Sequence, residues 1–162
     1  MSKRLNLREF QQRVIERLQD KNATAARIST LGVRIAGQNW LVAMADISEV
    51  LPVPVLTPVP VAKPWFLGVA NVRGNLYGVT DMAAYRHAGP TPPDTNNRVL
   101  LVAGRYAFNA ALLVERVLGL RDARGWQPDE EPGSFRDEQG ALWHSLDIRG
   151  LLEQTEFLQI GI

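Results

Sequence analysis

The sequence has no cysteine and only two histidines among its 162 residues. Without cysteine there can be no disulfide, no thiolate nucleophile and no cysteine-ligated metal, and the chain suits a reducing compartment. The two histidines, His87 and His144, lie far apart in the chain and match no spacing typical of a zinc site. We therefore expect no metal and no other cofactor.

Long apolar runs are also missing. Every uninterrupted apolar run is far shorter than the roughly 20 residues that a membrane-spanning helix needs. The N-terminus, Met1 to Arg4, leads into charged sequence instead of the apolar core of a signal peptide. These two absences predict a cytoplasmic location.

Motifs that carry catalysis are absent as well, since there is no G-x-S-x-G elbow and no glycine-rich phosphate loop. Ser145 follows His144 directly, and neighbours on a strand point to opposite faces, so a hydrolase would require another nucleophile beside His144. The sequence thus favours neither an enzyme nor a small-molecule substrate. Aromatic residues make up 7% of the chain and are not interleaved with Lys and Arg, which argues against nucleic acid as a partner.

Positive charge is concentrated at the start of the chain. Residues 1–27 contain seven Lys/Arg and three Asp/Glu, whereas residues 28–162 contain eleven and fourteen. Apolar residues at helical spacing predict an amphipathic helix over Leu7 to Lys21. Two roles are open: packing on the chain's own domain or a sister subunit, or binding a partner or membrane surface. The residues proposed for such a contact are Phe10, Arg13, Val14, Arg17 and Leu18.

Beyond residue 28 the apolar period changes to two, which is typical of β-strands. Three hairpins are predicted, over residues 31–44, 67–80 and 99–117, and the last is long enough to continue through Leu120. A strand over residues 141–146 and a short helix capped by Asp147 follow. Several short strands with few helices predict a mainly β fold built from small barrels.

The connections between these hairpins have their own signals. Asp46 to Glu49 matches a capping box and predicts a single helical turn. Prolines alternate with valines through residues 51–64, which predicts an edge strand or an extended connection. Residues 87–97 are predicted to form a loop that divides the chain, and residues 125–140 to form an acidic, solvated loop.

The hairpin over Phe66 to Met82 carries the most specific pattern. It contains Gly68-Val-Ala-Asn71-Val-Arg73-Gly74 and ends in Asp81-Met82. This segment resembles the G-x-x-N-x-R-G hairpin of CheW-like coupling proteins, which is followed by a hydrophobic strand ending in Asp-Leu. Flanking elements resemble the family in the same order, so the resemblance covers about residues 28–155. These elements are Glu49-Val50, residues 98–120 and residues 142–152.

The resemblance implies two small SH3-like five-stranded β-barrels in tandem, over about residues 31–86 and 98–155, with an exchange of terminal strands left open. An N-terminal α-helix over residues 1–27, a short C-terminal helix and a tail at 156–162 complete this expectation. Members of the family are adaptors, not enzymes. They link the cytoplasmic tip of a chemoreceptor to the regulatory domain of a CheA-type histidine kinase, so membrane association would be indirect, through the receptor. The basic N-terminal helix and the short ending at 135–140 look most like the PilI branch, which serves type IV pilus twitching motility.

The resemblance also implies roles for individual residues. Arg73 is similar to the motif arginine and Glu49 to its acidic partner, although Glu49 has the capping box with Asp46 as an alternative role. Ala111 stands where relatives often have glycine, so contacts in the second half are carried over less safely. The signature residues are Glu49, Gly68, Asn71, Arg73, Gly74 and Asp81, and the expected receptor groove is lined by Ile47, Glu49, Gly68, Val99 and Ala111.

Overall fold

The computed structural model describes residues 11–13, 15 and 30–161. Gln11 to Arg13 and Ile15 are helical and exposed, within the span where the sequence predicts a helix. Arg13 is therefore described, whereas the other residues proposed for an N-terminal contact, Phe10, Val14, Arg17 and Leu18, lie outside the described residues. No described helix is long and apolar enough to cross a membrane.

Residues 30–161 contain eleven strands and three short α-helices. The strands are β1 (Thr30–Ile35), β2 (Gln38–Ala43), β3 (Ile47–Pro52), β4 (Phe66–Val72), β5 (Asn75–Asp81), β6 (Arg98–Val102), β7 (Ala110–Val114), β8 (Arg116–Arg121), β9 (Gln127–Pro128), β10 (Ser134–Arg136) and β11 (Leu142–Leu146). The helices are α1 (Met82–Tyr85), α2 (Ile148–Glu153) and α3 (Thr155–Leu158).

The strands form two sheets, with the orders β8-β1-β2-β11-β10-β9 and β3-β6-β7-β5-β4. The β2–β11 and β5–β7 pairs are parallel, and the other ladders are antiparallel. The mainly β fold is confirmed, although one sheet has six strands where five were expected. The sheets do not coincide with consecutive halves at 31–86 and 98–155, because β1 and β2 lie with the C-terminal strands and β6 and β7 lie with β3 to β5.

The β6–β7 pair lies at the centre of the molecule. Every residue of β7 is buried, because both faces of this strand are covered. Leu112 packs in a large cluster together with Val33 and Val42 of the other sheet, whereas Ala111 and Leu113 pack in a second cluster within the five-stranded sheet. This explains why the sequence of β7 is continuously apolar instead of alternating.

A third cluster lies in the six-stranded sheet and changes the interpretation of residues 125–140. Trp126 and Trp143 are buried there beside Leu41. The indole N–H groups of these tryptophans donate to Glu138 and Asp137, at 3.2 and 2.9 Å. The expected solvated acidic loop is therefore wrong, because its carboxylates anchor core tryptophans and the segment contains β9 and β10.

Two sequence-based boundaries are also corrected. Asp46 to Glu49 is not a helical turn: Met44–Asp46 forms one 3₁₀ turn, and Glu49 lies in β3. The third hairpin does not run unbroken from Tyr106 to Leu120, because Tyr106 lies in a 3₁₀ turn and Glu115 separates β7 from β8. Chain direction changes at Glu115 because the two strands belong to different sheets, which a uniformly apolar pattern cannot show.

The C-terminal residues are packed against the fold. Phe157 of α3 stacks on Trp65 with ring centroids 6.2 Å apart and contacts Tyr85 edge-on. The backbone N–H of Lys63 donates to the carbonyl of Ile160 at 2.7 Å. The sequence predicts one short C-terminal helix and a tail from residue 156, whereas two short helices, α2 and α3, are present and residues 155–161 are held by aromatic packing.

The proline-rich segment is an extended connection, as predicted, and it depends on Gly68. Thr57 and Val69 exchange two backbone hydrogen bonds of 2.8 and 2.9 Å, which attach this connection to β4. Gly68 has a φ of +130°, and a Cβ at this position would lie 2.2 Å from the Thr57 carbonyl oxygen. Only glycine satisfies both the backbone angle and this close approach.

We predict that Gly68→Ala lowers the free energy of unfolding by about 2 to 4 kcal/mol, because alanine adds backbone strain and a clash with Thr57. Gly104→Ala is the matched control, since a Cβ there meets no atom within 4 Å and its φ is not positive. Urea denaturation of both variants measures the difference. Equal midpoints would contradict the role given to Gly68.

Candidate partner-binding site

The tip of the β4–β5 hairpin is a two-residue turn made by Arg73 and Gly74. Both residues have positive φ angles, +51° and +87°, as a type I′ turn requires. The Asn71 Oδ1 atom accepts a hydrogen bond from the Gly74 N–H at 2.8 Å and closes the turn from inside. Glycine is favoured at this angle, but Arg73 adopts it at a conformational cost, so the side chain at this position has a use beyond the turn.

The Arg73 side chain pairs with Glu49 on β3. Its guanidinium makes a two-point contact with the carboxylate: Nη1 donates to Oε1 at 3.2 Å, and Nη2 donates to Oε2. β3 and β4 are the two edge strands of the five-stranded sheet, so this ion pair connects one edge to the turn that follows the other edge. The pairing expected from the family resemblance is present, and the capping-box alternative for Glu49 is wrong because Glu49 lies in a strand.

The ion pair is open to solvent. The Arg73 side chain is 66% exposed and that of Glu49 is 35% exposed. The hydrogen bond from Arg73 holds the pKa of Glu49 below its ordinary value, and the hydrogen bond to Glu49 raises the pKa of Arg73. An exposed pair contributes little to folding, so these charges are available to a partner while their two-point geometry keeps them oriented.

Asp81 has a different, internal role. It is 2% exposed, and its Oδ1 caps α1 by accepting from the Ala83 and Ala84 N–H groups. Its carboxylate also accepts from the Thr91 backbone N–H at 2.8 Å and from the Thr91 hydroxyl at 2.6 Å. One buried carboxylate thus fixes the start of α1 and the loop over residues 87–97, which lie on either side of it.

The residues expected in a receptor groove are mostly internal. Val99 and Ala111 are 0% and 1% exposed and belong to the interior cluster of the five-stranded sheet. Ile47 is 9% exposed and packs in the cluster between the two sheets. Glu49 alone of this set presents a charged group at the surface, and Gly68 is buried against Thr57. Contact between these residues and a receptor stays a prediction.

One polar cluster has no signal in the sequence. Asp46 accepts a hydrogen bond from the Tyr106 hydroxyl at 2.5 Å and pairs with Arg105. Its backbone carbonyl accepts from the Ala103 N–H at 2.9 Å. The residues come from the turns after β2 and β6, and these turns meet only because β3 and β6 are paired in the fold.

The histidines do not form a reactive site. His144 packs against Trp40 with ring centroids 4.9 Å apart, and the adjacent Ser145 is exposed. Within the described part of the chain, no group of three His, Cys, Asp or Glu side chains could hold a metal ion. The arrangement at His144 therefore matches aromatic packing, with no nucleophile brought to the imidazole.

The comparison with protein families decides the class. The family model described as the CheW-like domain matches residues 29–156. The chain belongs to the CheW-like domain family. This family consists of scaffolding adaptors of chemosensory systems and not of enzymes, which confirms the expectation of a non-catalytic protein.

Two individual proteins illustrate the similarity to other CheW-like proteins. The chain is 36% identical over 93 residues to Protein PilI of Pseudomonas aeruginosa, covering 57% of this chain and 52% of PilI. The alignment thus spans about half the length of that curated relative. The scaffolding protein TtCheW from Thermoanaerobacter tengcongensis matches in structure with a TM-score of 0.64 and 17% identity, covering 78% of this chain and 92% of TtCheW. The second likeness supports the CheW-like fold, with its tandem SH3-like arrangement.

We predict that Arg73→Asn returns the pKa of Glu49 to its ordinary value while the turn persists, because asparagine tolerates positive φ. The depressed folded-state pKa means that the pair's contribution to stability is present above the unfolded-state pKa and is lost as pH falls through the folded-state pKa. The wild type should therefore lose slightly more stability than Arg73→Asn between neutral pH and about pH 3. NMR titration of the Glu49 carboxyl and denaturation at each pH measure both effects. An unchanged Glu49 pKa in the variant would contradict the pairing in solution.

We also predict that Asp81→Ala lowers the free energy of unfolding by about 2 to 5 kcal/mol, because it leaves buried N–H and O–H donors without an acceptor. Thr91→Val is the matched variant, since it removes only the hydroxyl bond and should cost about 1 kcal/mol. Thermal and urea denaturation give both values. Equal losses in the two variants would show that Asp81 does not hold the loop.

Proposed function

We propose that this protein couples chemoreceptors to a CheA-type histidine kinase in a chemosensory array that controls type IV pilus twitching motility. It performs no reaction and instead holds two partners at a fixed distance and orientation. The kinase contact is made with its regulatory domain, and the receptor contact with the cytoplasmic tip. The protein is then cytoplasmic and reaches the membrane only through the receptor.

The observation that carries the proposal is the CheW-like domain match over residues 29–156, which contains both members of the exposed ion pair. The 36% identity to PilI supports the pilus system over other outputs. A rigid turn with fixed charges is suited to an adaptor, because little conformational entropy is lost when such a surface binds.

The surface around the hairpin has the composition of a contact site. Leu76 follows the turn on β5 and is 59% exposed, close in sequence to Arg73. An exposed apolar residue beside an oriented ion pair offers both apolar burial and charge selection to a partner. A stable contact buries about 800 Å² on each protein, although a smaller one suffices where many contacts act together in an array.

The buried residues of the expected groove act in this proposal through shape. Val99 and Ala111 fill the sheet beneath the surface strands, and Gly68 sets the approach of the Thr57 segment to β4. Substitutions at these positions would then alter partner binding by displacing the strands. Ile47 and Glu49 begin the edge strand β3, where such a displacement would be largest.

The test measures binding of the full chain to a kinase regulatory domain and to a soluble receptor-tip fragment by calorimetry. We expect both to bind, and Arg73→Asn to weaken at least one of them about 5- to 10-fold at unchanged unfolding midpoint. Arg149→Gln is the matched control, because Arg149 is 78% exposed on α2 and pairs only with Glu153 one helical turn away. Its affinities should equal those of the wild type.

A second candidate function, recruitment to a membrane surface or another partner through the basic N-terminal residues, is favoured by the charge of residues 1–27. The double variant Arg13→Glu, Arg17→Glu separates the two. Retained kinase and receptor binding in this variant supports coupling by the β domain. Binding of the wild type to neither partner, together with charge-dependent binding to anionic lipid vesicles, would replace the coupling proposal with recruitment.

A further inference from the structure

A cleft of about 460 Å³ opens beside α2, away from the residues of the β4–β5 hairpin. It lies between Trp40 of β2, the turn after α1, the end of β11 and α2. Its polar or aromatic lining includes Trp40, Arg86, His87, Ser145, Asp147 and Gln154. A volume of this size falls in the range of small ligand sites and can hold one or two side chains of another protein.

The indole N–H of Trp40 lacks an acceptor. Trp40 is only 5% exposed, and its Nε1 atom is buried with no hydrogen-bond partner among the described residues. The other tryptophans with N–H groups near the same sheet, Trp126 and Trp143, donate to carboxylates. Leaving a buried donor unpaired is costly, so an unpaired N–H on the wall of a cleft indicates a place for an acceptor.

Arg86 lies over the same indole ring. Its guanidinium carbon is 4.2 Å from the centroid of the Trp40 ring. Among residues 30–161, Arg86 forms no ion pair, and its side chain donates no hydrogen bond. Stacking uses the face of a guanidinium and leaves the in-plane N–H donors free, which is the geometry that binds a carboxylate at two points.

The remaining polar groups of the cleft are largely occupied. Asp147 is the acidic group in the lining, and its Oδ1 caps α2 by accepting from the Gly150 N–H at 3.0 Å. The Gln154 Oε1 atom accepts from the Tyr85 hydroxyl. His87 lies next to Arg86 with a φ of +63°, at the turn that follows α1. Unoccupied hydrogen-bonding capacity in the cleft is thus provided by donors, on Trp40 and Arg86.

We propose that this cleft binds a carboxylate side chain from an acidic segment of a partner protein, with Arg86 and the Trp40 N–H as its donors. Apolar neighbours such as Met82 and Leu151 exclude water on one side and strengthen the charged contact. The site is separate from the Glu49–Arg73 surface and adds a contact beyond the coupling function proposed above. It gives the protein a way to recognise a third acidic polypeptide, or a second region of a known partner.

The test follows the Trp40 indole ¹H–¹⁵N signal of the full chain, assigned with Trp40→Phe, during titration with a short glutamate-rich peptide. We expect a downfield shift of that signal as the N–H gains an acceptor, with the other three indole signals nearly unmoved. Arg86→Gln should weaken the peptide's binding about tenfold, the effect of losing one charge-assisted hydrogen bond. Arg86 is exposed, so this variant is expected to fold normally.

Three controls make the result decisive. Arg116→Gln removes an exposed arginine from β8, outside this cleft, and should bind the peptide like the wild type. The glutamine counterpart of the peptide should not bind, and free glutamate at the same carboxylate concentration should bind much more weakly. An unmoved Trp40 signal, equal affinity of the two arginine variants, equal binding of the glutamine peptide, or equal binding of free glutamate would each overturn the proposal.

Discussion

Burial of both faces of the β6–β7 pair is the constraint on which the rest of this structure depends. One face of the pair contributes Leu100 and Leu112 to the cluster shared with β1 and β2, and the other contributes Val99 and Leu113 to the five-stranded sheet. Apolar burial on two sides allows a chain of this size to hold two small sheets together without disulfides or metal. The edges of the five-stranded sheet are then free to carry polar surface groups.

Much of the fold follows from local signals in the sequence. Alternating residues identified the β1–β2 hairpin, and Asp147 identified the start of α2, because capping and alternation depend on near neighbours. Glu49 shows where local reasoning fails. A capping box and an edge strand are both compatible with Asp46 to Glu49, and the tertiary partners Arg105 and Arg73 decide between them.

The candidate site was predictable to a similar extent. Resemblance to a family identified the Arg73–Glu49 pair, but it could not show that the pair is exposed or that it links the two edges of a sheet. Val99 and Ala111 illustrate the opposite case, since a residue carried over by position proved to be internal. The unpaired N–H of Trp40 has no counterpart in the sequence at all, because an absent partner is visible only once every neighbour is in place.

The order of strands has a consequence for how the protein is made. The five-stranded sheet comes from one continuous stretch, β3 to β7, so its pairing can be completed while the ribosome is still producing the C-terminal strands. β2, in contrast, must wait for β11, which pairs with it in parallel from the far end of the chain. The N-terminal hairpin therefore presents an unpaired strand edge until translation ends, and that interval is when chaperone protection matters most for this protein.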